Sequence, residues 1–388
     1  MKSNNRRPVI CRISATPFSV NKFLRLQIEY AIKEGYKVIV VTGYDRELDE
    51  FCKVNSIEYL VVDIERRFTP FKDAVSLYRI LKVLSRYKID CIHTITSKGG
   101  LLGVLAGKIL RVPCIMHIYA GLPWCEMAGL KRKIGRLSDV LIGRWATMTY
   151  TDSDSEKAFI LRERVCHANK LKVLGHGSVS GFDIVKYDRK SLAEKGRVEL
   201  EKLGIPSSTK VILFVGRVTR EKGVGELVEA FCNIADNYPD VVLLLVGPRE
   251  DDIDPLNYDT KKLIDKCHRI FSLGYRSDPE VFYSIAELLV LPSYREGFGN
   301  VVIEAALCGI PALGTKIFGL SDSIVEDETG ILVECKSVPA LQNGLETLLI
   351  NDSMRIKLGV QARMRGVECF SKDYVNGLLM NEYHSYIK

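Results

Sequence analysis

A chain of 388 residues, 47% of them apolar, with 30 Gly and 13 Pro, can build two globular domains with separate cores and is too apolar for a disordered chain. Its eleven cysteines are odd in number, scattered and free of any CxxC pair, which argues against a disulfide framework or a thiolate metal cage and fits a reducing cytosol. The net charge of +7 is uneven: residues 1–180 hold 30 Lys and Arg against 17 Asp and Glu, and residues 181–388 hold 25 against 31, so the first half suits nucleic acid, an anionic bilayer surface or a phosphorylated substrate.

No zinc-finger spacing, RNP-type aromatic string or helix-turn-helix signature accompanies the basic half, so no nucleic-acid partner is expected. No N-terminal apolar core precedes a small-residue cleavage site, and the apolar run 101–106 is soon broken by Lys108 and Arg111. Export and membrane spanning are therefore not expected.

Short apolar, β-branched runs alternate with longer amphipathic stretches along the whole chain, the pattern of parallel sheets covered by helices on both faces. Strands are predicted at 9–13, 37–41, 59–62, 91–94, 114–118, 148–151 and 172–174, then at 211–215, 241–246, 270–273, 288–291, 311–313 and 331–333, with helical periodicity between them. The polar stretch 175–209, with Gly177, Gly181, Gly204 and Pro206, reads as the connection between two domains. The expected class is α/β, two Rossmann-like doubly wound domains at 1–180 and 181–370. A last helix over 371–388, with Tyr374, Leu378, Leu379, Tyr383 and Tyr386 at helical spacing, is expected to return to the first domain.

His117, near the end of the strand 114–118 and before Tyr119-Ala120-Gly121-Leu122-Pro123-Trp124, is expected to emerge at the carboxyl edge of the first sheet. His93 holds a similar place on an adjacent strand; for either, a satisfied structural histidine is the alternative. In the stretch 130–145, Leu130, Ile134, Leu137, Leu141 and Trp145 fall at helical spacing among Lys131, Arg132, Lys133, Arg136 and Arg144. That is a basic amphipathic helix, suited either to an anionic lipid surface or to a core with a solvated face. Asp152-Ser153-Asp154 has a metal-motif spacing but reads as the cap of a helix starting near Ser155.

In the second half, Phe214-Val215-Gly216-Arg217-Val218-Thr219-Arg220-Glu221-Lys222-Gly223-Val224 is a strand, a turn and a helix start at the carboxyl edge of a parallel sheet, where ligands collect. Gly216 permits close approach, and Arg217 and Lys222 can clamp a pyrophosphate, one as a planar fork and one as a point charge. Neither GxGxxG nor GxxxxGK[ST] is present. The sharpest signal is Arg295-Glu296-Gly297-Phe298-Gly299-Asn300-Val301-Val302-Ile303-Glu304, where a Gly-containing turn opens a helix and offers free N–H groups to a phosphate. Glu296 can face a sugar, and Glu304, one turn into the helix, can accept from ribose hydroxyls.

The pairing of GRVTREKG with EGFGNVVIE about eighty residues later resembles glycosyltransferase family 4 and its E-x7-E motif. The first half resembles bacterial members that build capsule, O-antigen and lipid-linked glycans, through TPFSVNKFL, IHTITSKGGLLG, MHIYAGLPW and GHGSVSGFD. The resemblance implies a GT-B fold, a retaining transfer and a nucleotide-diphosphate sugar donor. Arg217 and Lys222 would hold the diphosphate, Glu304 the ribose, and Glu296 with the Gly297-Phe298-Gly299 turn the transferred sugar, with Gly216 and Asn300 also binding the donor; His117 resembles the family's cleft histidine. Charge stabilisation by the two cations makes a divalent metal or other cofactor unnecessary.

For the acceptor, Ser14, Thr16, Lys22, His93 and Trp124 are the candidates. The turn 14–19 lacks the paired glycines of many relatives, and capping the helix expected near Asn21 is the alternative role for its small polar residues. The function expected is a peripheral enzyme of the inner face of the cytoplasmic membrane. It would move a UDP-linked sugar, with an N-acetylhexosamine as one candidate, to a polyprenyl-diphosphate-linked saccharide. A nucleotide-sugar epimerase on a similar fold and a sugar-binding protein without catalysis are the rivals.

Overall fold

The computed structural model describes residues 6–65 and 69–387. The chain divides into two units, one of residues 1–181 and 372–388 and one of residues 182–371. The final helix, Lys372–Tyr386, thus belongs to the first unit.

The first unit is built on seven strands: β1 (Val9–Ser14), β2 (Lys37–Thr42), β3 (Glu58–Val61), β4 (Cys91–Ile95), β5 (Cys114–Tyr119), β6 (Met148–Thr151) and β7 (Leu171–Val173). They pair in the order β3-β2-β1-β4-β5-β6-β7, and every pairing is parallel. Both faces of the sheet are covered, which is why the strands read as continuous apolar runs. Along β1, Ile10 joins a core with the helices Arg25–Lys33, Arg46–Val54 and Lys372–Tyr386, whereas Val9, Cys11 and Ile13 join a core with Pro70–Leu84 and Ser97–Ile109 on the other face. A strand's period of two makes that division. The last helix buries Val375, Asn376, Leu379, Met380 and Tyr383, while Tyr374 stays 38% exposed.

The second unit holds β8 (Lys210–Val215), β9 (Val241–Val246), β10 (Ile270–Gly274), β11 (Leu288–Leu291), β12 (Ala312–Thr315) and β13 (Gly330–Val333), in the order β10-β9-β8-β11-β12-β13, again all parallel. From β8 the chain runs outward to β9 and β10, then returns to lay β11 on the other side of β8. The strand order therefore reverses between β8 and β11, and the loops leaving their carboxyl ends diverge at a place where α/β sheets bind ligands.

Candidate active site

The two loops at this switch point carry the sharpest sequence signals, and the backbone brings them together. Tyr294 N–H donates to Glu221 O at 2.9 Å. Gly223 has φ +68°, and a Cβ there would stand 2.1 Å from Pro292 O, so only glycine lets the first loop lie against the second. Lys222, its neighbour, thereby reaches across to Glu296, with Nζ to Oε1 at 2.5 Å and both side chains 14% exposed.

Ser293, fully buried at the end of β11, donates its hydroxyl to the same Oε1 at 2.7 Å. Thr315 at the end of β12 donates to the Ser293 carbonyl at 2.5 Å. Among the described residues both donors to Glu296 meet Oε1, and Oε2 is the oxygen left to accept from a ligand. Sequence reasoning passed over Ser293; its place three residues before Glu296, just past an apolar strand, was the signal.

Arg217 does not stand open. It is ion-paired with Glu221 and, at 2.7 Å, with Glu250, and Arg295 lies 3.3 Å from Glu221. Burial alone would raise the Glu221 carboxyl, but Arg295, Arg217 and Lys222 together hold it below its ordinary value. Three cations and three carboxylates, Glu221, Glu250 and Glu296, thus share this edge, and a diphosphate would compete with carboxylates for the cations.

The turn after Glu296 contributes backbone rather than its aromatic ring. Phe298 is 2% exposed and packs on Phe370 with centroids 5.4 Å apart, so its side chain is not offered to a sugar as expected. Gly299 caps the helix Asn300–Leu307. Glu304, expected on a ribose, is buried and accepts from the Tyr283 hydroxyl at 2.8 Å, with the Tyr187 hydroxyl as a second partner. Burial first, and the charge of Glu304 second, push both phenols well above their ordinary value. A ribose would reach Glu304 only in place of these hydroxyls. Neither tyrosine carried a sequence signal for this pairing.

In the first unit the structure corrects three expectations. β5 continues two residues beyond His117, which is therefore interior and 1% exposed, with Nδ1 2.8 Å from Thr94 Oγ1. A Cβ on Gly100 would stand 2.4 Å from the His117 ring, so the helix Ser97–Ile109 closes directly over it. Burial lowers this imidazole to about 3, leaving it neutral at pH 7. His93, also fully buried, meets Arg12 Nη1 and the Tyr383 hydroxyl, each at 2.7 Å; burial, then the Arg12 charge, push it well down. Trp124 is 2% exposed and donates Nε1–H to Asp139 Oδ2 at 2.6 Å, because its loop folds back onto the helix Gly129–Trp145. None of the three faces an open edge.

The turn after β1 is self-satisfied. Ser14 Oγ donates to Thr16 O at 3.0 Å, and Thr16 caps the short helix Pro17–Ser19, which starts earlier than expected. Lys22 lies exposed in the following turn of helix. Ser153 caps the helix Asp154–Arg162 by accepting from Glu156 N at 3.2 Å, the capping role expected there.

On the helix Gly129–Trp145, Asp139, Ile142 and Gly143 face inward, while Leu130 and Leu137 are 71% and 57% exposed beside exposed Lys131 and Lys133. Arg132 and Arg136 instead pair with Glu163 at 3.3 and 3.6 Å. Among the described residues no helix is long and apolar enough to cross a membrane, and no three His, Cys, Asp or Glu side chains group as a metal site requires.

Comparison with known proteins identifies the family and the fold. Residues 197–365 match the family described as glycosyl transferases group 1, and residues 20–177 the glycosyl transferase 4-like domain. A capsular polysaccharide biosynthesis glycosyltransferase of Staphylococcus aureus is 30% identical over 369 residues, 94% of each chain. An Escherichia coli UDP-Gal:alpha-D-GlcNAc-diphosphoundecaprenol alpha-1,3-galactosyltransferase is 25% identical over 89% of each. In fold, the chain superposes with a TM-score of 0.80 on the Anabaena protein HepE, crystallised with UDP and glucose, at 19% identity over 98% of this chain and 100% of that one.

Proposed function

Because this chain belongs to the glycosyltransferases that join a 4-like domain to a group 1 domain in the GT-B fold, we propose that it transfers a sugar from a nucleotide-diphosphate donor to a lipid-diphosphate-linked saccharide, with retention of anomeric configuration, in the assembly of a capsule or other lipid-linked glycan. The observation that carries this reading is the Glu296 carboxylate, anchored through one oxygen by Lys222 and Ser293 at the switch point, beside Arg217. Oε2 accepts a hydroxyl of the donor sugar and fixes its orientation. Lys222 and Arg217, with N–H groups at the start of Asn300–Leu307, stabilise the charge that builds on the departing nucleoside diphosphate. These cations take the role a divalent metal plays elsewhere, so transfer proceeds without one.

The acceptor hydroxyl attacks from the face the leaving group vacates, and a phosphate oxygen of the donor takes its proton. The printed activity of the Escherichia coli relative supports a UDP-linked donor and an undecaprenyl-type acceptor. An acceptor of that kind places the enzyme on the inner face of the cytoplasmic membrane, and the outward Leu130 and Leu137 beside Lys131 and Lys133 support contact through the helix Gly129–Trp145.

The test is mass spectrometry and anomeric NMR of products from a panel of nucleotide sugars and lipid-diphosphate acceptors, with EDTA in a parallel series. A retained-configuration product that survives EDTA and is lost in Glu296→Ala is expected. Donor consumed without any acceptor would replace this reading with an epimerase, and an inverted product would refute the stereochemical assignment.

A further inference from the structure

The helix Pro70–Leu84 presents an apolar stripe to solvent that the proposed reaction does not use. Its inward face buries Ser76, Ile80 and Leu84. On the opposite side Phe71 is 91%, Val75 48% and Tyr78 63% exposed, with Ala74 exposed between them. At helical periodicity these four residues span an arc of about 100°, a continuous ridge rather than scattered surface residues.

The exposed charges on the helix itself are all basic. Lys72, Arg79 and Lys82 are exposed along the same helix and Arg86 just beyond it. The helix's one acid, Asp73, is turned inward onto Lys98 at 2.7 Å, with side chains 15% and 13% exposed. Glu65 is ion-paired with Lys72. The ridge therefore pairs aromatic side chains with cations, the composition that seats a helix in the headgroup layer of an anionic bilayer. A second exposed stripe, Ile356, Val360 and Met364 at 63%, 55% and 57%, lacks this bias, because exposed Lys357 is matched by exposed Asp352 and Glu368.

The ridge also lies in the layer that carries Leu130 and Leu137. Pro70–Leu84 packs on Ser97–Ile109, which packs on Gly129–Trp145. We infer that Phe71, Val75 and Tyr78, rimmed by Lys72, Arg79, Lys82 and Arg86, form a docking surface for an anionic lipid bilayer. This inference rests on the reading of a membrane-borne acceptor and assigns it a contact that reading does not contain.

The experiment is co-sedimentation of the full-length protein with vesicles of phosphatidylcholine alone or with roughly one-third phosphatidylglycerol, comparing wild type, F71S/Y78S and K72Q/R79Q/K82Q. Circular dichroism checks folding, and transfer to a short-chain, water-soluble acceptor is measured in parallel. Wild type is expected to bind the anionic vesicles, F71S/Y78S to lose about tenfold or more of that partitioning, and the triple variant to lose its preference for phosphatidylglycerol, while transfer to the soluble acceptor is unchanged. Equal vesicle binding by wild type and F71S/Y78S would overturn the inference and leave membrane contact to another surface. Transfer by a wild type that binds no vesicle would overturn it without touching the transferase reading. A change of oligomeric state in F71S/Y78S, with vesicle binding intact, would assign the ridge to a second copy of the chain.

Discussion

Arg12 in β1 donates to the hydroxyl of Tyr383 across 2.6 Å, joining residues 371 positions apart. Arg12 is 2% exposed, and its guanidinium also meets His93 Nδ1 at 2.7 Å and Gln27 Oε1 at 2.9 Å. These partners are all uncharged at pH 7, because His93 is pushed well down by burial and by Arg12 itself. Among the described residues no carboxylate is ion-paired with Arg12, and a buried cation so placed depends on every hydrogen bond it has.

Tyr383→Phe removes one of those bonds and leaves the cation buried, so a loss of about 1–3 kcal/mol in urea denaturation is expected. Arg12→Met alone relieves the charge, and the double variant should be more stable than the two single losses summed. Additive losses would mean the two residues are not coupled.

Lys222 and Ser293 both hold Glu296 Oε1, yet their loss should differ. Lys222→Ala removes the charge proposed to stabilise the leaving group and should lower kcat/KM by about 10²–10³. Ser293→Ala only loosens the carboxylate and should cost about tenfold, with Ser293→Thr restoring part of it. Steady-state kinetics with a fixed acceptor checks both, and equal losses would contradict the assignment of roles.

Gly223 meets Pro292 O so closely that Gly223→Ala must displace one loop from the other. A destabilisation of about 1–3 kcal/mol together with reduced transfer is expected. Calorimetry and the transfer assay would detect it, and an unaffected enzyme would mean that the loop contact does not set the Lys222–Glu296 pair.

Asp139 lies wholly buried on Trp124, and burial pushes its carboxyl up from 3.8 to about 7, against the opposing Trp124 hydrogen bond. The folded state holds this proton over a range where the unfolded chain releases it. Its contribution to stability is therefore complete below pH 4 and is lost as pH rises through 7, on the order of 4 kcal/mol in all. In Asp139→Asn that loss should vanish, so the difference between variant and wild type in urea midpoint grows in the variant's favour from pH 5 to pH 8. A difference independent of pH would mean the carboxyl is ionised throughout.

Among the described residues the thirteen strands could be read from their apolar runs, because strands of a parallel sheet covered on both faces announce themselves locally. The loops carrying Arg217, Lys222 and Glu296 were equally legible, since turn chemistry just past an apolar run places a residue at a sheet's carboxyl edge. His117 and Trp124 were not: a strand that runs on to Tyr119 beneath the helix Ser97–Ile109, and a loop folded onto Asp139, draw them inside.

The sequence by itself determined which segments form strands and helices and which loops leave the carboxyl ends, because those depend on patterns of a few residues. Only the tertiary structure decided that Glu296 is anchored through one oxygen, that Glu304 is closed off by Tyr283 and Tyr187, and that Arg12 meets Tyr383. Each of these depends on how deep a side chain lies and which distant element covers it, and chain packing sets both.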